Sequence, residues 1–328
     1  MIHNAKIVSK GRTPASYHEQ AAKRGSAEFI MSSSSLRAFA ECPQKWFNGF
    51  EFPDSKATEW GRLLDVCLLT PDEFLKLYSI KPSTYRDAKT GEEKPWNANS
   101  NVCKAWKDAQ EGKECVSDAK LEEVRQAIAR LRADEIIAAW CAACDTQVLV
   151  EAEWHDEPTG LVIPIRCLID FVPRNDTEFA KCVGDLKTTC NAKPQAWQRW
   201  AFTAGYHVQG AFNLDLLAAA TGEDRNTFCF ILSESSAPWQ TGKRMLSEDF
   251  KELGRAEYKR HLRNYAACVK SGRWPGYDDN DEAAQGWTVV SPEPWMENAV
   301  MFAPKYEFGD AVETEAAPED DGRFDISN

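Results

Sequence analysis

The sequence lacks long hydrophobic runs. None of its apolar stretches approaches the roughly 18 residues that a membrane-spanning helix needs, so we expect no transmembrane helix. The first 30 residues also lack the apolar segment of a secretory signal peptide. These two absences predict a cytoplasmic protein with no membrane partner.

A disulfide framework is missing as well. The 11 cysteines are scattered, and an odd number in a chain of this length favours reduced, partly buried thiols. Cys141 and Cys144 have the CxxC spacing of a ligand pair, but no second pair lies at the distance that a zinc site needs. A helix end with two small residues is therefore the favoured interpretation.

The chain has no excess of positive charge. Its formal net charge of -12 argues against a protein that coats nucleic acid through bulk electrostatics. It does not exclude an enzyme with a local basic groove, because bound metal ions themselves supply positive charge. Part of the acidity is concentrated in residues 306–328, which hold eight acids and one arginine. We predict an acidic, disordered tail over residues 301–328.

The rest of the sequence has a globular composition, and its patterns predict one α/β domain. Residues 1–30 give weak signals and are interpreted as an N-terminal arm. Residues 31–300 are predicted to form a single domain, with a helical part over 31–145 and a sheet core over 146–300.

Within the sheet core, strand patterns cover residues 147–154, 161–172, 182–187 and 227–234, the last as a central strand. One long helix is predicted over residues 194–220, and a second begins after Ser247 and ends at Gly272. Strands that alternate with long helices predict a mixed sheet flanked by helices.

Two acids and a lysine stand near the ends of neighbouring predicted strands. Side chains alternate across a strand, so Asp185 and Lys187 share one face while Leu186 points to the other. Asp170 ends the preceding strand and comes close if the two strands pair. Carboxylates with water and phosphate oxygens form the hard ligand set that Mg²⁺ prefers, and a lysine beside them can orient or deprotonate an attacking water. This arrangement predicts metal-assisted attack on a phosphodiester, with two ions bracing the attacking and leaving oxygens.

Further candidates flank this group. Glu153 and Glu151 share a face of the preceding strand, and we choose Glu153 to complete the metal shell. Tyr206 and Gln209 are three apart on the long helix and share a face, where they could orient the lysine or bind a phosphate. The opposite stripe of that helix, which includes Trp200, is predicted to be core.

The N-terminal part offers two ambiguous features. The serine-rich helix start at Ser33 and Ser34, with Arg37 one turn in, could bind a terminal phosphate, although ordinary helix capping is the more common use of such serines. Asp65 lies among leucines at helical spacing. It belongs either to the polar face of its helix or to an ion pair or metal site.

Three motifs taken together resemble the PD-(D/E)XK nuclease superfamily, and most of all the RecE-type exodeoxyribonuclease VIII group. They are Leu168-Ile-Asp170, Gly184-Asp-Leu-Lys-Thr-Thr189 and Tyr206-His-Val-Gln-Gly-Ala-Phe212. Matching segments occur in the same order from about Tyr17 to Trp295. The resemblance implies a restriction-endonuclease-like core, which agrees with the mixed sheet expected from the patterns.

The resemblance also implies an activity. That family digests linear double-stranded DNA from 5′ ends with Mg²⁺, for which Mn²⁺ is a possible substitute. Its members leave a 3′ overhang for a single-strand annealing protein and assemble as homo-oligomeric rings around DNA. Carried over to this chain, Asp170 and Asp185 are metal ligands, Lys187 positions the water, and Gln209 with Tyr206 forms the accessory motif.

One position departs from that family. Asp65 stands where the family usually has a histidine ligand, and an aspartate can replace it because Mg²⁺ prefers oxygen. The resemblance thus makes Asp65 a candidate ligand. The same departure, with the acidic net charge, motivates an alternative hypothesis: a catalytically impaired protein that binds DNA ends or loads a recombinase. Related nucleases with an iron–sulfur cluster need a late cysteine cluster, and only Cys229 and Cys268 occur there.

Overall fold

A computed structural model describes residues 1–11, 17, 22–279 and 290–292. Met1–Asp279 form one compact unit, and every helix and strand that the structure describes lies in it. The predicted acidic tail over residues 301–328 lies outside the described residues. Among the described residues, no helix is long and apolar enough to cross a bilayer.

The elements follow one another in a mixed order. The strands are β1 (Ile2–Ser9), β2 (Met31–Ser32), β3 (Tyr78–Lys81), β4 (Thr84–Arg86), β5 (Glu93–Pro95), β6 (Glu114–Ser117), β7 (Cys144–Asp156), β8 (Leu161–Pro173), β9 (Cys182–Thr189), β10 (Thr227–Glu234) and β11 (Thr241–Met245). The helices are α1 (Ser33–Glu41), α2 (Pro43–Phe47), α3 (Lys56–Leu69), α4 (Phe74–Leu77), α5 (Asn101–Asp108), α6 (Asp118–Arg132), α7 (Glu135–Ala143), α8 (Pro194–Thr203), α9 (Tyr206–Thr221) and α10 (Glu248–Ser271).

One large sheet carries the fold. Its order is β1-β7-β8-β9-β10-β11, and β2 pairs with β8 beside it. β7 and β8 form a long antiparallel hairpin, β9 runs antiparallel to β8, and β10 runs parallel to β9. Two short strand pairs, β3 with β6 and β4 with β5, lie outside this sheet. The predicted α/β architecture, a mixed sheet flanked by helices, is confirmed.

The alternation of side chains along the strands divides the core into two layers. Val183 of β9 and Phe228 of β10 pack in the layer that holds α9 and α10. Leu186 and Ile231 point to the opposite layer, which holds α3, α6 and α7. As predicted, the strand sends Leu186 to the layer opposite Val183, and Asp185 shares the face of Val183 by the same alternation.

Helix α9 lies unusually close to α10. A β-carbon added at Gly254 of α10 would lie 2.2 Å from the carbonyl oxygen of His207, so only glycine permits this approach. Helix α9 also packs on the sheet, and its Phe212 and Leu216 are fully buried. Packing on both α10 and the sheet fixes the position of α9 and of the side chains at its first turn.

Three predictions about elements need correction. The single helix predicted over residues 194–220 is two helices, because Gly205 adopts a left-handed conformation with φ +67° between α8 and α9. Trp200 is consequently not core: its side chain is 54% exposed. The strand predicted as central, β10, is next to the edge strand β11. Residues 2–9, interpreted as part of an arm, form strand β1 at the other edge of the sheet.

Candidate active site

Asp170 joins three neighbouring strands through its carboxylate. Its Oδ2 accepts a hydrogen bond of 2.8 Å from the backbone N–H of Leu186 on β9. Its Oδ1 accepts one of 2.9 Å from the side-chain amide of Gln147 on β7. Asp170 itself lies on β8, so pairing of the strands places this carboxylate beside Asp185.

Asp185 and Lys187 form an ion pair on the same face of β9. The side chain of Asp185 is only 4% exposed, and its Oδ1 accepts a 2.8 Å hydrogen bond from Gln209 Nε2. The Lys187 ammonium lies 4.9 Å from the centre of the Tyr206 ring, within cation–π range. Tyr206 and Gln209 therefore contact the lysine and the aspartate of this pair, as their shared helix face predicts.

The break between α8 and α9 sets the position of Tyr206. The residue starts α9 immediately after the left-handed Gly205. Its ring lies 6.0 Å from that of Trp197 and 5.6 Å from that of Phe230, which fixes it above the sheet. In a continuous helix residue 206 would have a different position, so the break between α8 and α9 determines where Tyr206 lies in the site.

Asp65 reaches the same region from α3. This helix packs closely on β9, since a β-carbon at Gly61 would lie 3.0 Å from the Thr188 hydroxyl. Asp65 lies one turn further along α3 and lines the same cleft as Lys187 and Gln209. The structure thus brings Asp65 to the group, in the place that the resemblance implies for a ligand.

The carboxylates of this group repel one another in a poorly hydrated place. The pKa of Asp65 is raised to about 7, because burial and, to a lesser extent, the charge of Asp185 outweigh the opposing effect of Lys187. Burial also raises the pKa of Asp170 well above its usual value, with Asp185 and Asp65 adding to the effect. For Lys187, burial lowers the pKa, but Asp185, Tyr206 and Asp170 outweigh it, so the net shift is upward and the ammonium is strongly favoured.

Asp65, Lys187, Tyr206 and Gln209 line a cleft of about 480 Å³. Ser33, Ser34 and Arg37 of α1 line the same cleft. The helix cap itself is Ser32, whose hydroxyl accepts from the backbone N–H of Ser35. Ser33 and Ser34 are therefore not needed as the cap, and they line the cleft with Arg37, whose guanidinium donates a 2.8 Å hydrogen bond to the carbonyl of Ala204.

Glu153 does not belong to this group, and its selection as a metal ligand is corrected. It lies on β7 six residues beyond Gln147, which is about 20 Å along an extended strand. Its carboxylate accepts a 2.7 Å hydrogen bond from the side-chain amide of Asn4 and lies 3.0 Å from His155 Nε2, with which it pairs. The choice between acids on β7 required the register of β7 against β8, which the strand pattern alone does not give.

Gln147 was not selected from the sequence, although it holds Asp170. It has φ +48°, in the left-handed region that non-glycine residues rarely adopt. The residue lies between the paired positions Thr146–Phe171 and Val148–Ile169, opposite Asp170. Its only sequence signal is a polar residue at the start of an apolar strand.

A comparison with protein families matches residues 32–285 to a family described as a PDDEXK-like domain of unknown function. The chain belongs to this family. The match covers most of the described fold, so the PD-(D/E)XK fold predicted from the motif order is confirmed. No curated protein matches this PDDEXK-like chain.

Two solved structures are similar to this PDDEXK-like chain. A "putative exonuclease" from Eubacterium rectale is 16% identical with a TM-score of 0.51, and the match covers 89% of this chain and 98% of that one. An alkaline exonuclease from Laribacter hongkongensis is 13% identical with a TM-score of 0.25, covering 53% and 84%. The first of these likenesses supports the fold.

The donor set of this PDDEXK-like site fits Mg²⁺ better than a softer metal. Within the described part of the chain, no three His, Cys, Asp or Glu side chains are grouped closely enough to enclose an ion. Mg²⁺ does not need such a cage, because it is usually held by one or two carboxylates and completes its shell with water and substrate phosphates. Asp170 and Asp185 would supply the carboxylates, with Asp65 near enough to act on the pKa of Asp170, and a divalent cation would relieve their mutual repulsion.

Proposed function

We propose that the protein is a Mg²⁺-dependent nuclease that hydrolyses phosphodiester bonds of DNA. The observation that carries the proposal is the grouping of Asp170, Asp185 and Lys187 on neighbouring strands, with Lys187 lining an open cleft. Membership in a PDDEXK-like family supports it, as does the likeness to the Eubacterium rectale protein, whose name includes an exonuclease activity. The bound metal would polarise the phosphate and lower the pKa of the attacking water.

The residues of the site have distinct tasks in this proposal. Asp170 and Asp185 hold the metal, and Gln147 and Gln209 fix the two carboxylates by hydrogen bonds of 2.9 and 2.8 Å. Lys187 keeps its proton because its pKa is raised. It can therefore orient a water by donation and stabilise charge on the phosphate, rather than remove the water's proton as a base.

The motif resemblance supports a more specific activity. We propose an exodeoxyribonuclease that degrades linear duplex DNA 5′→3′ with Mg²⁺, or Mn²⁺ in its place, through two ions per site. It would leave 3′ overhangs for a single-strand annealing protein and act as a homo-oligomeric ring. In this proposal Ser33, Ser34 and Arg37 bind a phosphate of the strand end, and their position in the lining of the cleft that holds Lys187 supports this role.

The test compares carboxylates inside and outside the site. Asp185→Asn and Lys187→Ala should each reduce digestion of linear duplex DNA at least about 100-fold, because the first removes a metal-binding carboxylate and the second the ammonium that orients the water. Glu153→Gln is the matched control and should digest like the unaltered protein, since its carboxylate binds Asn4 and His155 instead. Equal digestion by all four proteins would contradict the site.

Polarity is read from the same reaction. Duplexes blocked by phosphorothioates at the 5′ end should resist digestion, and those blocked at the 3′ end should not; the reverse result would contradict the 5′→3′ proposal. Sedimentation of the full chain with DNA tests the ring.

A binding-only protein is a second candidate, favoured by Asp65 in place of a histidine. It predicts tight binding of DNA ends with no cleavage in Mg²⁺ or Mn²⁺.

A further inference from the structure

An exposed tryptophan lines the candidate active-site cleft. Trp200 lies on α8, one turn after the buried Trp197, and contributes to the cleft wall with Lys187 and Tyr206. Its side chain is 54% exposed, although large aromatic side chains are normally buried or used for contacts. Packing in the hydrophobic core of the described residues therefore does not explain why a tryptophan is at this position.

The surroundings of Trp200 also leave it without a structural partner. In the part of the chain that the structure describes, its ring stacks on no other aromatic ring and its indole N–H donates to no protein acceptor. Phe202, two residues later, is equally exposed at 53%, but it stacks on His207 at 5.1 Å and does not line the cleft. Phe202 thus has a ring partner in the fold, whereas Trp200 has none among the described residues.

We propose that Trp200 forms a nucleobase subsite, on which the base next to the cleaved phosphate stacks. This proposal rests on the proposed nuclease function and names the substrate contact that the cleft makes. Aromatic side chains bind bases through their faces, and such stacking tolerates every base because all bases have a π-face. Lys187 and Arg37 line the same cleft and supply positive charge for the phosphate backbone.

The subsite favours the end of a strand over the middle of a duplex. Inside a duplex both faces of each base are covered by its neighbours, and only the edges are exposed in the grooves. A terminal base has one free face, and an unpaired terminal nucleotide has two. A stacking platform in the cleft therefore selects a strand end, which is the substrate of an exonuclease rather than an endonuclease.

The experiment combines a variant with an altered substrate. Trp200→Ala should lower kcat/KM on linear DNA about 10-fold, Trp200→Phe should recover most of it, and Phe202→Ala should change it little. On DNA whose terminal nucleotide is abasic, the unaltered protein should lose a similar factor, and Trp200→Ala should lose nothing more. Equal losses for both proteins on the abasic DNA would overturn the proposal.

A binding measurement separates this proposal from the nuclease function. With Ca²⁺ in place of Mg²⁺, an oligonucleotide with terminal 2-aminopurine should lose fluorescence on binding the unaltered protein, because stacking quenches it. Trp200→Ala should bind with little quenching, and thermal melting should show that the variant is folded. If the unaltered protein cleaves nothing, the nuclease function fails while quenching still decides the subsite. Equal quenching by both proteins, or none by either, overturns the subsite.

Discussion

Asp65 stands where the resembled nuclease family usually has a histidine. It shares a cleft with Lys187, and burial raises its pKa to about 7 despite that lysine. Its surroundings therefore disfavour the charged carboxylate, and a bound cation would favour it. A histidine at the same place would bring a neutral nitrogen ligand, which suits transition metals better than Mg²⁺.

Substitution of Asp65 should change the metal preference of the enzyme. In Asp65→His we expect the ratio of Mn²⁺-supported to Mg²⁺-supported nuclease activity to rise about 10-fold, because imidazole favours the softer ion. Asp65→Asn removes the charge without adding imidazole and should lower activity with both metals. Digestion rates over a titration of each metal measure the ratio, and an unchanged ratio in Asp65→His would mean that Asp65 is not a ligand.

Side-chain positions could be predicted only where a rigid periodicity sets them. Alternation along a strand requires Asp185 and Lys187 to share a face, so this pair follows from the sequence. The choice of Glu153 fails because it depends on the register of β7 and on the positive φ of Gln147, which place Gln147 opposite Asp170. A pattern of polar and apolar residues predicts neither this register nor this positive φ.

Among the elements, the break between α8 and α9 has the largest effect on the site. Ala204-Gly205 within an apolar periodic stretch reads as ordinary helix, so the sequence predicts one helix where there are two. The left-handed Gly205 allows α9 to start at Tyr206 and leaves Trp200 uncovered in the cleft. Arg37 of α1 contacts this break, because it donates a 2.8 Å hydrogen bond to the carbonyl of Ala204.

Gly205→Ala should therefore reduce both stability and activity. A side chain at φ +67° costs about 1 kcal/mol, and its β-carbon would lie 3.4 Å from Arg37 Cδ. Gly222→Ala is the matched control, since Gly222 ends α9 with φ +71° and has no atom within 4 Å of an added β-carbon. We expect similar losses in urea-unfolding free energy but a nuclease defect only in Gly205→Ala. An equal defect in both variants would show that the break has no special role.

At the scale of the whole molecule, residues from the start of the chain form one edge strand of the sheet. β1 pairs antiparallel with β7 from Ile2 opposite Trp154 to Ser9 opposite Leu149, with two register irregularities. Ile2 and Ile7 pack against the core. The sequence did not reveal this strand, because an edge strand with a solvated face and irregular pairing lacks a strong alternating pattern.

Removal of residues 1–9 should destabilise the protein and promote aggregation. The unpaired N–H and C=O groups of β7 would be exposed, and the contacts of Ile2 and Ile7 would be lost. We expect the melting temperature to fall by about 5 °C or more. Lys10→Ala, which breaks only the exposed 2.7 Å ion pair with Asp145, should have little effect. Thermal melting and size-exclusion chromatography measure both outcomes, and an unchanged truncated protein would contradict a supporting role for β1.

The position of β1 also has a consequence for how the chain is made. Residues 2–9 are synthesised before β7, which begins 135 residues after β1 ends, at Cys144. At about 5–20 residues per second, strand β1 waits roughly 7–27 s for its partner to be translated. During that interval its hydrogen-bonding groups can bind water or the chain made between β1 and β7. This edge of the sheet therefore cannot form until β7 has been made, although β1 is made first.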